Sequence, residues 1–174
     1  MNYVQHYDSP LGRINMTSDG NAITGLWFDG QERTAAACDG ENWKEKKLKI
    51  FDRATEWLDL YFLGKDPGPI PPIKTDGTAF REEVWNILKE IPYGETMTYG
   101  QIAKMIADKR GIARMSSQAV GGAVGDNPIL ILIPCHRVVG ANGELTGYAA
   151  GIEKKQWLLE MEGSVSWAGK GGRE

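Results

Sequence analysis

Residues 131–140 read ILIPCHRVVG and set a thiol beside an imidazole, Cys135 then His136, directly behind Pro134 at the end of a run of branched aliphatics. A thiol is a strong nucleophile only once ionised. At a usual pKa of about 8.5, a few per cent of it is thiolate at neutral pH, so a base within reach changes what it can do. The proline turns the chain out of the apolar run here, which places the thiol at the edge of a pocket and not inside packing. Neighbouring side chains in an extended segment point apart, so His136 is expected to reach Cys135 through a bridging water. From spacing alone two readings stand: a thiol-based catalyst, or the small buried hydrophobe that a free cysteine more often is. Cys38, inside Ala35-Ala36-Ala37-Cys38, fits the second.

These residues need a scaffold, and the chain signals one in two textures. Strand-like stretches YVQHY, RINMTS and AITGLWF fill the first thirty residues, separated by Ser9-Pro10-Leu11-Gly12 and Asp19-Gly20, which predicts a small antiparallel meander. Phe51, Ala54, Leu58 and Tyr61 or Phe62 then recur at helical spacing, an amphipathic helix to lie on that sheet. We read 1–63 as one domain and 64–77, GKDPGPIPPIKTDG, as a linker, since proline removes amide donors and glycine loosens the backbone.

From 78 to 163 the texture is helical. Phe80, Val84, Leu88 and Ile91 mark a helix that Thr78 can cap; Tyr99, Ile102, Ala103 and Ile106 mark a second; a third starts at Ser116 or Ser117 and stops near Gly125. The second and third, joined by a tight connector and the latter rich in small residues, resemble a helix-turn-helix, although any helical domain contains such pairs. Asn127-Pro128 leads into ILILI, read as one extended buried segment, and Asn142-Gly143 signals a tight turn. A last helix from about Ile152 to Glu162 is expected to pack Trp157, Leu158 and Met161 and to stop at Gly163, leaving 164–174 as a flexible tail.

With 174 residues, 41% apolar and 25% charged, the chain has the composition of a globular protein with a core, and no apolar run approaches the roughly 20 residues that span a bilayer. Two cysteines and two histidines make neither a disulfide framework nor a structural zinc cluster, and the start lacks a secretory pattern, so a cytoplasmic location is expected. The net charge of −3 argues against nucleic acid as a whole-molecule property, yet Lys104, Lys109, Arg110 and Arg114 against Asp108 make one stretch locally basic.

Three stretches, IPYGETMTYGQIA, QAVGGAVGDNPILILIPCHRVVG and LTGYAAGIEKKQWLLEMEG, stand in the order and at the separations of the catalytic domain of the O6-alkylguanine-DNA alkyltransferases, the methylated-DNA-protein-cysteine methyltransferases. Residues 78–163 resemble that domain over half the chain. The N-terminal part, with SPLG and GLWF, is similar to the family's variable companion domain. The resemblance implies an α+β fold: a ribonuclease H-like sheet-and-helix domain, then a mainly helical domain with a winged-helix-like helix-turn-helix.

It also implies a chemistry and a set of roles. Members move an alkyl group from O6 of guanine in double-stranded DNA to their own cysteine, once per molecule, with no metal and no organic cofactor. Cys135 is the implied acceptor, His136 the base acting through water, and Glu162 the acid that orients the imidazole, an arrangement of nucleophile, base and orienting acid. Tyr99 matches the donor beside the leaving base, and Asn127 the residue bracing the turn around the cysteine. Tyr148 and Ala149, with Pro134 and Val138, match the walls of the base pocket. Ala119, Gly121, Gly122 and Ala123 match the small residues of the helix that enters the minor groove, with Arg137 and Arg114 read as further DNA contacts. Where the family commonly has an arginine before Ala-Val-Gly this chain has Gln118, which can hydrogen-bond the orphaned cytosine but brings no charge. No membrane and no obligate protein partner are implied, and a monomer is expected. A non-catalytic reader of alkylated DNA on the same fold and a cysteine hydrolase are the competing readings; acceptance of O4-alkylthymine is left open.

Overall fold

The computed structural model describes residues 2–31 and 43–166. Cys38 and residues 167–174 of the expected tail lie outside the described residues. Two compact units form: residues up to Thr75 together with Pro128–Leu132, and Asp76–Asn127 together with the chain from Ile133 on.

The first unit contains the expected meander. Strands β1 (Asn2–Ser9), β2 (Gly12–Ser18) and β3 (Ile23–Phe28) pair antiparallel, with Tyr7 opposite Ile14 and Ile14 opposite Phe28. A fourth strand, β4 (Trp43–Glu45), runs parallel beside β1, so the sheet is mixed, in the order β3-β2-β1-β4. Three residues are too few to show a period of two, which is why the sequence did not announce it. Helix α1 (Lys49–Phe62) lies on this sheet and buries Phe51, Ala54, Leu58 and Tyr61 as their spacing predicts, with Ile50 and Trp57 added.

Of the expected linker, residues 64–75 belong to this unit and are tied to it at several points, while Asp76 and Gly77 belong to the second. The Trp57 indole donates to the Gly68 carbonyl at 3.1 Å, and the Ile23 amide donates to the Pro72 carbonyl at 2.9 Å. Pro128–Leu132 is likewise bonded to β3: the Leu26 amide donates to Pro128 and the Leu130 amide to Leu26, both at 3.0 Å. This segment is buried as expected but not extended. Ile131 has φ +70°, and the Leu132 amide donates back to the Leu130 carbonyl at 2.7 Å, closing a γ-turn. A β-branched residue with positive φ costs about 1–3 kcal/mol and persists where its surroundings over-determine it; here Ile129 to Leu132 are each 1% exposed or less.

Among the described residues the second unit holds four α-helices and a small sheet. Helix α2 (Ala79–Lys89) is capped by Thr78, whose hydroxyl accepts from the Arg81 amide. Helix α3 (Tyr99–Arg110) opens on a capping box, with Thr98 accepting from the Gln101 amide and Gln101 returning the bond, and closes on Gly111 in the left-handed conformation. Helix α4 (Ser117–Gly125) is capped by Ser116, and α5 (Ile152–Glu162) ends at Gly163. The three-stranded sheet was not foreseen: β5 (Glu95–Thr98) lies between β6 (Val138–Val139) and β7 (Val165–Ser166), parallel to both. The first two residues past Ser164 are therefore a strand where a tail was expected. Among the described residues no helix is long and apolar enough to cross a membrane.

Candidate active site

Cys135 sits in the second unit, at the first position of a single 3-10 turn, Cys135–Arg137. Pro134, at φ −81° and ψ 65°, makes the tight turn that precedes it, closed by the Cys135 amide donating to Ile133 at 2.8 Å. The expectation of an extended Cys-His pair is thus corrected. The turn buries Cys135, His136 and Arg137 together, the thiol at 4% exposure. Asn127 braces this turn: its side-chain amide donates to the Ile133 carbonyl at 2.7 Å and also hydrogen-bonds the Cys135 thiol, favouring the charged sulfur.

Burial pushes the Cys135 thiol up to about 11, against the Asn127 bond and the positive charge of Lys155. A resting thiol is therefore neutral, and catalysis needs a base to take its proton. His136, the next residue, is held by a buried acid. Its Nε2 lies 2.7 Å from Glu162 Oε2, both side chains fully buried. A carboxylate only accepts, so Nε2 carries the hydrogen and Nδ1 is left with the lone pair that can receive a proton. Burial holds the His136 pKa below its usual value, opposed by Glu162, so the ring rests neutral.

Glu162 is the hub. Burial alone would raise its pKa, but His136 and Arg137 outweigh that and hold the carboxyl far below the ordinary carboxylate range. Arg137 grips it with two nitrogens, Nε to Oε1 at 2.9 Å and Nη2 to Oε2 at 3.2 Å, and spends Nη1 on the Ile91 carbonyl at 2.8 Å. This corrects the expectation that Arg137 reaches DNA: the residue is 7% exposed and its guanidinium is committed to the acid. Gly94 completes the cradle. Its amide donates to Glu162 Oε1 at 3.3 Å with φ +83°, and a Cβ there would come within 3.1 Å of the Glu162 carbonyl oxygen, which reserves the position for glycine.

Helix α5 supplies two charged groups to the interior. Its buried residues are Lys155, Leu158, Leu159 and Glu162; of the expected core positions Leu158 is buried, whereas Trp157 and Met161 are partly exposed. Lys155 is a site residue that the apolar pattern concealed. Fully buried, it donates from Nζ to the Thr146 carbonyl at 3.2 Å, and burial lowers its pKa to about 8 although the neighbouring Cys135 opposes this. Thr146 in turn has its hydroxyl 2.7 Å from that of Tyr99. Burial raises the Tyr99 pKa, with Thr146 opposing and Cys135 adding to the rise, so the phenol stays protonated beside the sulfur.

Tyr148 closes another side: its ring stands edge-on to His136 at 6.4 Å and 76°, and its hydroxyl is buried near Cys135 and Glu162, without a hydrogen-bond partner among the described residues. Pro134 and Val138 are buried beside the turn, and Ala149 is exposed on the loop that ends with the Gly151 amide donating to the Tyr148 carbonyl.

Away from the sulfur, α4 exposes Gln118, Ala119 and Gly122, while Gly121 rests against the Tyr99 ring, 3.8 Å from where its Cβ would be. Ala123, expected on the same outward face, is turned inward: it is 4% exposed and its carbonyl accepts from the Trp85 indole at 2.9 Å. Arg114 is exposed just before α4. Of the other basic residues expected nearby, Lys104 pairs with Asp108 at 3.4 Å and Arg110 with Glu83. Among the described residues no group of three or more histidine, cysteine or acidic side chains could hold a metal ion.

Residues 2–70 match the ribonuclease-like domain of the 6-O-methylguanine DNA methyltransferases, and residues 79–164 match their DNA binding domain. A Methanosarcina acetivorans protein named methylated-DNA–protein-cysteine methyltransferase is 42% identical over 162 residues, 93% of this chain and 99% of that one. The chain belongs to the methylated-DNA–protein-cysteine methyltransferase family. A relative from Haemophilus influenzae with the same name is 39% identical over 162 residues, 92% of this chain and 86% of its own. Among solved structures, Mycobacterium tuberculosis OGT in complex with DNA aligns at 38% identity and a TM-score of 0.79, covering 92% of each chain. The family's α+β architecture is the one observed here, an N-terminal sheet carrying a helix followed by a mainly helical unit.

Proposed function

We propose that this protein repairs DNA by direct reversal, taking a methyl or other alkyl group from O6 of guanine onto Cys135 in a single irreversible event. The observation that carries the reading is the buried chain from Glu162 Oε2 to His136 Nε2, at 2.7 Å, ending one residue from the thiol. A carboxylate kept ionised by Arg137 holds the imidazole hydrogen on Nε2, so Nδ1 accepts the Cys135 proton through one intervening water. The sulfur then attacks the alkyl carbon, the carbon–O6 bond breaks, and its electron pair stays on the purine. Tyr99 donates a hydrogen bond to that purine as negative charge grows on it, and Asn127 and Lys155 favour the thiolate before attack. The purine anion then takes up one proton, balancing the one that His136 removed from the thiol and afterwards releases, so the products are a thioether, a neutral imidazole and an unmodified guanine. A thioether has no ready route back to a thiol, so each molecule acts once.

The base has to leave the duplex stack to reach a buried thiol, at a cost of a few kcal/mol. Helix α4 is the element for this, entering the minor groove with Ala119 and Gly122 outward, Gln118 toward the orphaned cytosine and Arg114 toward phosphate. Tyr148, Ala149, Pro134 and Val138 wall the extruded base. Incubation with a duplex carrying radiolabelled O6-methylguanine tests the proposal. Label should appear on the protein at no more than one equivalent, and Cys135→Ser should abolish it. Repeated turnover would indicate a hydrolase, and binding without transfer a non-catalytic reader.

A further inference from the structure

A hydroxyl carries one hydrogen and can accept two, so when two hydroxyls meet, the direction of the bond between them decides what each has left to offer. Tyr99 and Thr146 meet in this way at 2.7 Å. If Tyr99 donated to Thr146, its hydrogen would be consumed and nothing would remain for a purine. If Thr146 donates, the Tyr99 oxygen is satisfied as an acceptor and its hydrogen is directed elsewhere. We propose that Thr146 is a positioning residue for Tyr99, donating its hydroxyl hydrogen to the phenolic oxygen and so reserving the Tyr99 hydrogen for the departing base. This rests on the reading of Tyr99 as the donor to that base.

Three features of the surroundings suit Thr146 to this task. Its main chain is anchored, since its carbonyl accepts from Lys155, whose side chain is wholly buried and cannot swing away. The Tyr99 ring is fixed from the other side by Gly121 of α4 and from below by its place as the first residue of α3, directly after the capping box. Reversal of the bond therefore needs a rotation of two hydroxyl hydrogens and no heavy-atom movement. A donor feeding into a second donor polarises it, so a Tyr99 that accepts from Thr146 gives a stronger hydrogen bond to a base gaining charge. The bond from Thr146 also favours the ionised phenol, against burial, which is the sense of polarisation the role requires.

The test is the single-turnover alkyl-transfer rate at saturating O6-methylguanine duplex, with duplex Kd measured alongside. Thr146→Val, equal in shape but without the hydroxyl, should slow transfer about five- to tenfold, the worth of one neutral hydrogen bond, with Kd unchanged. Thr146→Ser should restore the rate to within about twofold of the original protein. In the Tyr99→Phe protein the valine substitution should have no further effect. Equal losses for valine and serine, or additive losses in the double variant, would overturn the inference. Tyr99→Phe at the original rate would remove the reading on which it rests, whereas a slow Tyr99→Phe beside an unaffected Thr146→Val would overturn the inference alone.

Discussion

At the scale of residues, one carboxylate organises three functions: it fixes the histidine tautomer, neutralises Arg137 and ties Gly94 into the same cradle. Its folded pKa lies below its unfolded value, so its contribution to stability is complete above about pH 4.5 and is lost as pH falls toward the lowered value. His136, held neutral by burial, adds in the same sense below its usual 6.5, because the unfolded chain binds the proton more readily. Denaturation midpoints should therefore drop as pH falls from neutral toward 4 and below, and Glu162→Gln should flatten that slope while slowing transfer about 100-fold or more. Lys155 titrates on the alkaline side. With a pKa of about 8 it loses its charge above that pH, and with it the help it gives the thiolate. The single-turnover rate should therefore fall above about pH 8, and Lys155→Met should lower the rate and remove that alkaline limb.

At the scale of elements, α4 exposes a row of minimal side chains, and at Gly122 an added Cβ would meet nothing within 4 Å. Alanine there should stabilise the helix by about 0.5–1 kcal/mol, the difference in helix propensity. If the helix docks backbone-close in the groove, the same methyl should weaken duplex binding by about tenfold, roughly 1.4 kcal/mol. Measured together, thermal midpoint and duplex Kd should move in opposite directions. If Arg114 meets phosphate as proposed, the same surface should bind less tightly as salt rises, because the contact releases counterions; affinity indifferent to salt would exclude this face. The helices were legible in the sequence because Thr78, Thr98 and Ser116 are caps of known chemistry and their apolar stripes are long. The β5–β6–β7 sheet was not, since strands of two and four residues carry no period. The buried face of α5 misled for a different reason. Its interior is a site, so Lys155 and Glu162 occupy positions that an apolar pattern assigns to core, and Trp157 is displaced to the edge. Arg137 misled likewise: its type suggested phosphate, and the buried acid that claims it stands 25 residues away in the chain.

At the scale of the whole molecule, the chain crosses between its two compact units three times, since Pro128–Leu132 belongs with the N-terminal residues while Asn127 on one side and Ile133 on the other belong with the site. Asn127 and the Ile133 carbonyl are joined across that excursion by the 2.7 Å bond that braces the nucleophile's turn. A fragment beginning at Asp76 would leave Pro128, Ile129 and Leu130 without their pairing to Leu26 of β3, beside an isoleucine held at φ +70°. Expressed alone, that fragment should be aggregation-prone and should transfer alkyl groups at well under a tenth of the full chain's rate, and co-expression with residues 1–75 should recover it. Any chimera that swaps the N-terminal residues for a foreign module must also offer a berth for Pro128–Leu132, five residues that lie between Asn127 and Ile133 in the chain, so recombination between distant relatives at the obvious seam would strip that segment of its bonds to Leu26.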